Sequence, residues 1–484
     1  MKEEYVVLVD RDDNPVGTAP KMEAHRQGLL HRAFSVFLFD DEGRLILQRR
    51  AGEKYHSGGL WTNTVCSHPR PGETINHAAR RRLREEMGID TPVRKIFDFV
   101  YRAELDQGLT EHEFDHVFVG QYSGEVCPDP AEAEAVDYKY LQEIREDLRR
   151  HPERYTEWFK IIFDKSFDTL MREAGKMYRN RPLIWEPYYE PKIWGGRRLE
   201  SLFDKQLPSG KIGESWEVSA VPQKESRVKS GFFKGFDLRE LWKILGPDFF
   251  GDLNEEVFPL LIKYIDAADD LSVQVHPDDE LARRLHGGKG KNETWYVLDA
   301  ASGSRLYLGF KSGVTQKDFS EALKKGQVEK LLNAVPVRPG DWFYVPAGTV
   351  HAIGKNVLLA EIQQNSDLTY RIYDYNRKDA NGNLRPLHLR EAMQAVHFEA
   401  RPRKVEGEIL KTPYFEVHKT APGKTVLPKE DTFTIIMNPF GDKMKINDSV
   451  LHKGETALLF SGGEFVVDSS APWLWVKPVK RQNR

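Results

Sequence analysis

Cysteine is scarce in this sequence, and long apolar segments are absent. Its two cysteines, Cys66 and Cys127, are too few among 484 residues for a disulfide framework, which favours free thiols in a reducing compartment. No stretch approaches the roughly 18 apolar residues that span a bilayer, and the charged N-terminus does not resemble a secretory signal. A formal net charge of only -3 argues against nucleic acid or an anionic membrane as the main partner. These absences favour a cytoplasmic protein that acts on small molecules.

Sequence texture divides the chain into an α/β region and a mainly β region. Short strands alternate with helices until Asn180-Arg181-Pro182 interrupts a helical stretch. Beyond that point, short strands separated by Gly and Pro predominate, as in a β-sandwich or barrel. We therefore predict three domains, at 1–180, 181–400 and 401–484.

Hydrophobic periodicity predicts individual elements in both regions. In the α/β region we expect strands at 5–10, 33–40 and 44–50, a helix over 74–87 that ends at Gly88, and a helical stretch over 152–178. In the β region we expect strands at 270–277, 293–300, 341–353 and 357–364, with helical insertions near 236–246 and 315–332.

The segment from Ser67 to Ile89 resembles a Nudix box, whose pattern is G-x5-E-x7-R-E-U-x-E-E-x-G-U with U apolar. Ser67 replaces the glycine, and Arg82 replaces a glutamate of the pattern. A diphosphate hydrolase needs clustered carboxylates to hold the cations that activate water. Arg82 lies one helical turn from Glu86, so the pair favours binding a diphosphate, directly and through Mg²⁺, over hydrolysing it.

Four further motifs occur in order around this box. They read LLHRAFS (29–35) with His25 before it, WTNTVCSHP (61–69), YRAE (101–104) and TEHEFDH (110–116). With these motifs, residues 3–165 resemble the type 1 isopentenyl-diphosphate isomerases, which have a Nudix-like α/β fold. Moving an unactivated double bond requires protonation of one carbon and deprotonation of another through a carbocation-like state, from which water must be excluded.

The resemblance implies a role for each motif residue. Cys66 and Glu113 are the expected acid/base pair on opposite faces of the substrate, Tyr101 primes Glu113, and the ring of Trp158 stabilises the cation. The implied metal ligands are His25, His31, His68, Glu111 and Glu113, the implied diphosphate contacts are Lys21, Arg50, Lys54 and Arg82, and the implied ligand of a second ion, Mg²⁺, is Glu86. Three imidazoles with carboxylates suit Zn²⁺ or Mn²⁺ as well as Mg²⁺ at the histidine site.

The β region contains a cupin motif at 339–355, PGDWFYVPAGTVHAIGK. Gly340, Pro346, Gly348 and His351 match the pattern, while Lys355 takes the place of its final asparagine. This match predicts a jelly-roll fold with helical insertions, but cupins serve many functions, so it predicts no activity.

A set of candidate metal ligands lies around this motif. Gln274 and His276 alternate with valines and therefore face the same way, and the segment at 288–295 adds Glu293. Together with His351 they make two nitrogen and two oxygen ligands, a set that suits Zn²⁺ with room for substrate.

These positions, in their order and spacing, resemble the zinc ligands of type I mannose-6-phosphate isomerases over about 182–484. The segment EIQQNSDLTYRIYDYNR (361–377) resembles that family's arginine motif, with Arg371 as its active-site arginine. Arg371 would stabilise the enediolate, and Lys291 and Glu361 also match catalytic positions, where either one could shuttle the proton. Ser272 shares a face with Gln274 and is a candidate phosphate contact.

The sequence therefore predicts a bifunctional isomerase that acts on isopentenyl diphosphate and on a hexose 6-phosphate, mannose 6-phosphate. The alternative is a Nudix hydrolase of GDP-mannose fused to a non-catalytic cupin that senses a sugar. Cys66 and Arg82 argue against the hydrolase. Arg371 and Lys291 argue against the sensor, because a sensor needs no proton-transfer groups beside a metal.

One prediction separates isomerase from hydrolase. We expect no appreciable hydrolysis of GDP-mannose, because Arg82 occupies a carboxylate position of the Nudix box. The measurement is release of mannose 1-phosphate and GMP in the presence of Mg²⁺. Robust Mg²⁺-dependent release would reverse the ranking of the two interpretations.

Overall fold

The protein forms two compact units in the computed structural model, which describes residues 4–378 and 382–480. The first unit consists of Met1–Tyr178 together with Ser230–Phe236, and the second of Arg179–Lys229 together with Asp237–Arg484. No helix in this described part of the chain is long and apolar enough to cross a membrane.

The first unit is an α/β fold built on one mixed sheet. Its strands are β1 (Tyr5–Val9), β2 (Pro15–Pro20), β3 (His31–Phe39), β4 (Leu45–Arg50), β5 (Trp61–Thr62), β6 (Val65–Ser67), β7 (Arg94–Glu104), β8 (Thr110–Gln121) and β9 (Ala133–Lys139). Its helices are α1 (Lys21–Gln27), α2 (Ile75–Met87), α3 (Leu141–Arg150), α4 (Glu157–Lys165) and α5 (Phe167–Gly175), with 3₁₀ turns at Asp106–Gly108, Pro152–Arg154 and Lys176–Tyr178.

Strand β3 brings the motif segments of this unit together. It pairs in parallel with β8, where His31 lies opposite Glu113, and antiparallel with β6, where Ser35 lies opposite Cys66. Strand β7 pairs with the other edge of β8 and places Tyr101 opposite Glu113. Side chains that are distant in sequence therefore meet on neighbouring strands.

Helix α2 carries the Nudix-like segment and has a cap at both ends. The hydroxyl of Thr74 accepts a hydrogen bond from the backbone N–H of His77 (3.4 Å), and Gly88 closes the helix in a left-handed conformation (φ 69°). Its apolar face, which includes Leu83, is buried against the sheet. Glu86 is also buried, on the side that faces a cavity.

The predicted helical stretch over 152–178 is not continuous: it is divided into 3₁₀ turns and the helices α4 and α5. Thr156 is extended (φ -66°, ψ 154°), because its backbone N–H donates to the Trp61 carbonyl (3.0 Å) and its hydroxyl to that of Thr62 (3.0 Å). Ser166 separates α4 from α5 with a non-helical φ of -130°. Tertiary hydrogen bonds thus override the helical spacing of the aromatic residues.

The second unit is mainly β. Its strands are β10 (Leu183–Glu186), β11 (Tyr188–Gly196), β12 (Ile212–Val218), β13 (Arg227–Val228), β14 (Leu260–Ala267), β15 (Val273–Val275), β16 (Glu293–Ala300), β17 (Arg305–Phe310), β18 (Leu332–Pro336), β19 (Trp342–Val345), β20 (His351–Ile353), β21 (Val357–Gln364), β22 (Tyr370–Tyr373), β23 (Arg403–Lys404), β24 (Ile409–Lys411), β25 (Phe415–Thr420), β26 (Gly423–Val426), β27 (Thr434–Met437), β28 (Lys443–Ile446), β29 (Ser449–His452), β30 (Thr456–Leu459), β31 (Val466–Ser469) and β32 (Trp473–Pro478). Its helices are α6 (Arg198–Phe203), α7 (Leu238–Leu245), α8 (Pro247–Phe250), α9 (Asp279–His286), α10 (Gln316–Lys325) and α11 (Leu389–Ala395), with a 3₁₀ turn at Val328–Leu331.

Two sheets of this unit enclose the cupin core. A seven-stranded sheet has the order β11-β12-β14-β21-β16-β19-β23, and a five-stranded sheet has the order β18-β17-β20-β15-β22. Buried side chains from both sheets, among them Trp295 from the first and Leu306 from the second, form one apolar cluster. The predicted strand over 341–353 is divided into β19 and β20 by the turn that carries Gly348 (φ 82°).

The C-terminal strands form a second pair of sheets, ordered β13-β10-β30-β27-β32-β25-β24 and β26-β31-β28-β29. Trp473 and Val467 lie in the apolar cluster that joins the two. Strands β10 and β13 come from the beginning of the unit, so its two ends share one sheet. The sequence does not predict this pairing, because it joins residues more than 200 positions apart.

Two candidate active sites

Three imidazoles and a carboxylate converge in the first unit. One ligand atom from each of His25, His31, His68 and Glu113 lies within 4.8 Å of the others. His31 Nδ1–H donates to the Leu29 carbonyl (2.8 Å), which leaves His31 Nε2 as an unprotonated acceptor 3.2 Å from His68 Nε2. Both ring nitrogens of His25 are buried without a hydrogen-bond partner.

The electrostatics of this group fit a divalent cation. Burial lowers the pKa of His25 to about 2 and the pKa of His68 to about 4, so the rings are neutral near pH 7. Zn²⁺ and Mn²⁺ bind well to neutral imidazoles and to a carboxylate such as that of Glu113, which lies 2.9 Å from His68 Nε2. A bound metal ion would also give a partner to one of the two unpartnered ring nitrogens of His25.

Tyr101 links Glu113 to a second carboxyl group, that of Glu111. The Tyr101 hydroxyl lies 2.7 Å from Glu113 Oε2 and 2.9 Å from Glu111 Oε2. Burial and the charge of Glu113 raise the pKa of Glu111 well above its usual range. Burial also opposes ionisation of Glu113, but the neighbouring His31 and His68 rings outweigh it and hold the pKa of Glu113 well below the usual range. Glu111 lies outside the four-residue group, although the sequence predicts it as a fifth ligand.

A cavity beside the metal-ligand group brings most of the other predicted residues together. Cys66, Trp158 and Glu113 line it, and burial raises the pKa of the Cys66 thiol, which therefore keeps its proton. The cavity wall also contains Lys21, Arg50, Lys54, Arg82, Glu86, Tyr101, Glu111 and His68. The guanidinium of Arg50 lies 5.2 Å from the centre of the Trp158 ring.

Sequence reasoning missed three residues of this cavity: Tyr55, His56 and Glu132. His56 is buried, and its Nε2 lies 3.9 Å from Glu111 Oε1. Tyr55 and His56 directly follow Lys54 in sequence, so the polar segment before the cysteine motif was an available signal. Glu132 belongs to no motif, and only the fold brings it to the cavity.

The second unit holds a smaller group of ligands between its two cupin sheets. One ligand atom each from His276, Glu293 and His351 lies within 4.8 Å of the others. His276 Nδ1 donates to the Leu368 carbonyl (2.8 Å) and His351 Nδ1 to that of Thr349 (2.9 Å). Both Nε2 atoms therefore face Glu293, at 3.6 and 3.3 Å.

This second group also fits a metal ion. His276 Nε2 is buried without a hydrogen-bond partner, and burial lowers the pKa of His351 to about 4. The side-chain amide nitrogen of Gln274 lies 3.2 Å from His351 Nε2. Two neutral imidazoles and a carboxylate are ligands of the kind that Zn²⁺ binds, and Gln274 stays a predicted fourth ligand.

Arg371 and Ser272 lie along the five-stranded sheet beside these ligands. Gln274 on β15 is paired with His351 on β20 and with Arg371 on β22, so the three side chains form a row on one face. Arg371 Nη1 donates to the Pro386 carbonyl (2.9 Å), while its buried Nε has no hydrogen-bond partner among the described residues. Ser272 Oγ lies 3.5 Å from the Gln274 amide oxygen.

A chain of alternating charges crosses the seven-stranded sheet toward the ligands. Lys291 Nζ lies 3.1 Å from Glu293 and 3.6 Å from Glu361, whose other oxygen accepts from Trp295 Nε1 (3.2 Å). Lys263 Nζ lies 3.5 Å from Glu361 and 3.4 Å from Glu214. Burial opposes the charge of Lys291, but Glu293 and Glu361 outweigh it and raise the pKa of Lys291.

Lys263 and Glu214 were also missed by sequence reasoning. A lysine in LLIKYIDA, a strand on which all eight residues are buried, was the available signal. A buried ammonium needs carboxylate partners, and a buried lysine with such partners is a functional candidate. Glu214 alone carried no local signal, since its partner lies on another strand.

Comparisons with known proteins agree with the division of the chain. The family described as NUDIX domain matches residues 29–159. The chain is 55% identical over 163 residues to isopentenyl-diphosphate Delta-isomerase 2 of Aromatoleum aromaticum, which covers 34% of this chain and 86% of that protein. It is 48% identical over 160 residues to the isopentenyl-diphosphate Delta-isomerase of Serratia proteamaculans, covering 33% of this chain and 89% of that protein.

The remainder of the chain matches a different family. Phosphomannose isomerase type I, catalytic domain, matches residues 184–301. The mannose-6-phosphate isomerase ManA of Bacillus subtilis is 38% identical over 307 residues, which cover 60% of this chain and 96% of ManA. A crystal structure of mannose 6-phosphate isomerase from the same organism aligns with a TM-score of 0.57 and 32% identity, over 61% of this chain and 99% of that one. The chain therefore belongs to two isomerase families, with isopentenyl-diphosphate Delta-isomerase in its N-terminal region and type I mannose-6-phosphate isomerase in its C-terminal region.

Proposed function

We propose that the protein interconverts isopentenyl and dimethylallyl diphosphate in its first unit, and mannose 6-phosphate and fructose 6-phosphate in its second. One observation carries the proposal in both units. Buried side chains suited to binding a metal ion lie beside groups that can transfer protons, which a protein that only binds the substrate would not need. A cytoplasmic location is part of the proposal, since both cysteines are free.

In the first unit, Cys66 and Glu113 transfer the protons. A neutral thiol and a carboxylate line one cavity, so one can donate to a carbon of the alkene while the other accepts from its neighbour. Tyr101 orients Glu113 through its 2.7 Å hydrogen bond, and the π face of Trp158 stabilises the cationic intermediate. When bound, Mg²⁺, Mn²⁺ or Zn²⁺ at the histidine group supplies positive charge beside Glu113, and Mg²⁺ at Glu86 supplies charge to the diphosphate.

The cationic wall of the cavity binds the diphosphate. Lys21, Arg50, Lys54 and Arg82 all line it, and Arg82 offers a planar fork of donors to phosphate oxygens. Arg82 Nη2 lies 2.8 Å from Glu86, where a hydrolase would hold a further carboxylate for its metal ions. This pairing supports isomerisation over hydrolysis.

In the second unit, Lys291 and Glu361 move the proton between C1 and C2 of the sugar. They lie 3.6 Å apart, so both groups can reach the same substrate. Arg371 stabilises the developing enediolate as a permanent cation, and Ser272 is a phosphate contact. When bound at Gln274, His276, Glu293 and His351, Zn²⁺ supplies Lewis acidity to the substrate oxygens.

Cys66→Ala tests the first reaction. We expect loss of isopentenyl-diphosphate isomerisation and unchanged sugar isomerisation, because the variant removes one of two proton-transfer groups from one unit only. The control is Cys127→Ala, which changes an exposed thiol outside the cavity and should leave both rates unchanged. Retention of most isoprenoid activity in Cys66→Ala would refute the role of this thiol.

His276→Ala, His351→Ala and Arg371→Ala together test the second reaction. Each histidine variant should lose Zn²⁺ and activity, because the remaining ligands chelate weakly. Arg371→Ala should keep Zn²⁺ and fold but lose most turnover, because its charge serves the enediolate. Elemental analysis measures the Zn²⁺ bound per chain, and steady-state kinetics measure turnover and KM. Normal turnover with only a raised KM in Arg371→Ala would exclude the catalytic role and favour a sugar sensor.

Lys263→Met tests the charge chain. The charges of Lys291 and Lys263 outweigh burial and lower the pKa of Glu361, so removing the Lys263 ammonium should raise that pKa. A base whose pKa rises is protonated at higher pH, so the acidic limb of the kcat profile for sugar isomerisation should move to higher pH while Zn²⁺ is retained.

The matched control for this variant is Lys205→Met. Lys205 is also buried and lies 2.9 Å from a carboxylate oxygen of Glu217, away from the metal ligands. The Lys205→Met variant should lower the stability of the protein without moving the pH profile of kcat for sugar isomerisation. An unmoved profile in Lys263→Met would show that Lys263 serves packing alone.

A further inference from the structure

The cationic wall of the first-unit cavity is neutralised by a carboxylate that no motif includes, that of Glu132. Glu132 Oε2 contacts Lys54 Nζ and lies 3.2 Å from Arg82 Nη2. Its side chain is partly buried and lines the cavity. Burial opposes ionisation of Glu132, but Lys54 and Arg82 outweigh it and lower its pKa, so the group is an anion.

The position of Glu132 is set by its backbone. Its carbonyl accepts a hydrogen bond from Ala51 N–H (3.0 Å), and the carbonyl of Ala51 accepts one from Lys54 N–H (3.1 Å). These bonds join the segment before β9 to the turn that carries Lys54, so the carboxylate and the ammonium are held side by side. The backbone therefore holds Glu132 next to Lys54 whether or not its carboxylate pairs with that ammonium.

Glu86 differs from Glu132 in its contacts. Glu86 is buried, accepts from Gln48 Nε2 (3.1 Å) and lies 2.8 Å from Arg82. It has no ion pair with Lys54, which pairs with Glu132. One carboxylate thus lies deep beside Arg82, and the other bridges two of the cations assigned to the diphosphate.

We propose that Glu132 is an internal competitor of the diphosphate, a carboxylate that occupies Lys54 and Arg82 until substrate displaces it. The inference rests on the proposed function of the first unit, which assigns these two cations to the substrate. A diphosphate presents more negative charge and more acceptor oxygens than one carboxylate, so it displaces Glu132. An anion with a single phosphate makes fewer contacts and competes less well.

This role has two consequences. The displacement of Glu132 weakens the binding of substrate and product alike, which favours product release. It also sets a threshold for anion binding, because every anion must first separate Glu132 from its two partners.

The test is binding of inorganic pyrophosphate and of orthophosphate to the full chain in Mg²⁺, measured by calorimetry. Glu132→Gln removes the competing charge and should bind pyrophosphate about three- to tenfold tighter than the wild type, with a gain of similar size for orthophosphate. Glu132→Ala should change both affinities in the same direction. In both variants the KM for isopentenyl diphosphate should also fall.

Glu134→Gln is the matched control. It makes the same change of charge two residues along the chain, where Glu134 pairs with Arg49 (2.7 Å) and does not line the cavity. This variant should bind both anions as the wild type does. Equal gains in the two glutamine variants would indicate a long-range charge effect and overturn the proposal.

Weaker or unchanged pyrophosphate binding in Glu132→Gln and Glu132→Ala would also overturn it, since Glu132 would then position the two cations. The wild-type assay with isopentenyl diphosphate separates this failure from that of the proposed function. A wild type without isomerase activity refutes the proposed function. An active wild type whose KM does not respond to Glu132→Gln refutes only the inference about Glu132.

Discussion

Both sites depend on buried imidazoles whose Nδ1 atoms donate to backbone carbonyl oxygens. His31 donates to Leu29, and His276 donates to Leu368. Each bond fixes the tautomer and aims an unprotonated Nε2 at a carboxylate. Burial lowers the pKa of His276 well below its usual range. In both units the backbone orients the ring, so two unrelated folds create metal-ligand geometry by the same means.

Charge pairing is the second constraint that both units share. A buried cation is costly unless a carboxylate lies next to it, and a buried carboxylate has the same requirement. Arg82 lies between Glu86 and Glu132, and Lys263 lies between Glu214 and Glu361. The chain therefore keeps ionised groups in position inside both sites, away from the screening effect of water. The same pairs set which groups hold protons, so stability and proton transfer depend on the same contacts.

The sequence predicted the fold classes and the sets of motif residues, because those signals are local. Strand alternation placed Gln274 beside His276, and helical spacing placed Arg82 beside Glu86. Pairings between strands carry no such signal, which is why Glu214 and Glu132 were missed, whereas Lys263 had a local signal as a lysine in an apolar strand. The break at Thr156 was missed for the same reason, since the Trp61 carbonyl that fixes it lies on another strand. Roles assigned through resemblance, such as that of Glu111, remain predictions, and its position beside Tyr101 suggests that it acts through that hydroxyl.

The two sites have no residue in common among the described parts of the chain. The group around His25 and Glu113 lies wholly in the first unit, and the group around His276 and Arg371 lies wholly in the second. Their proposed substrates, an isoprenoid diphosphate and a hexose 6-phosphate, share no intermediate. Neither chemistry therefore requires the other, and fusion adds no group to either reaction. Because both sites belong to one polypeptide, they are always made in equal numbers.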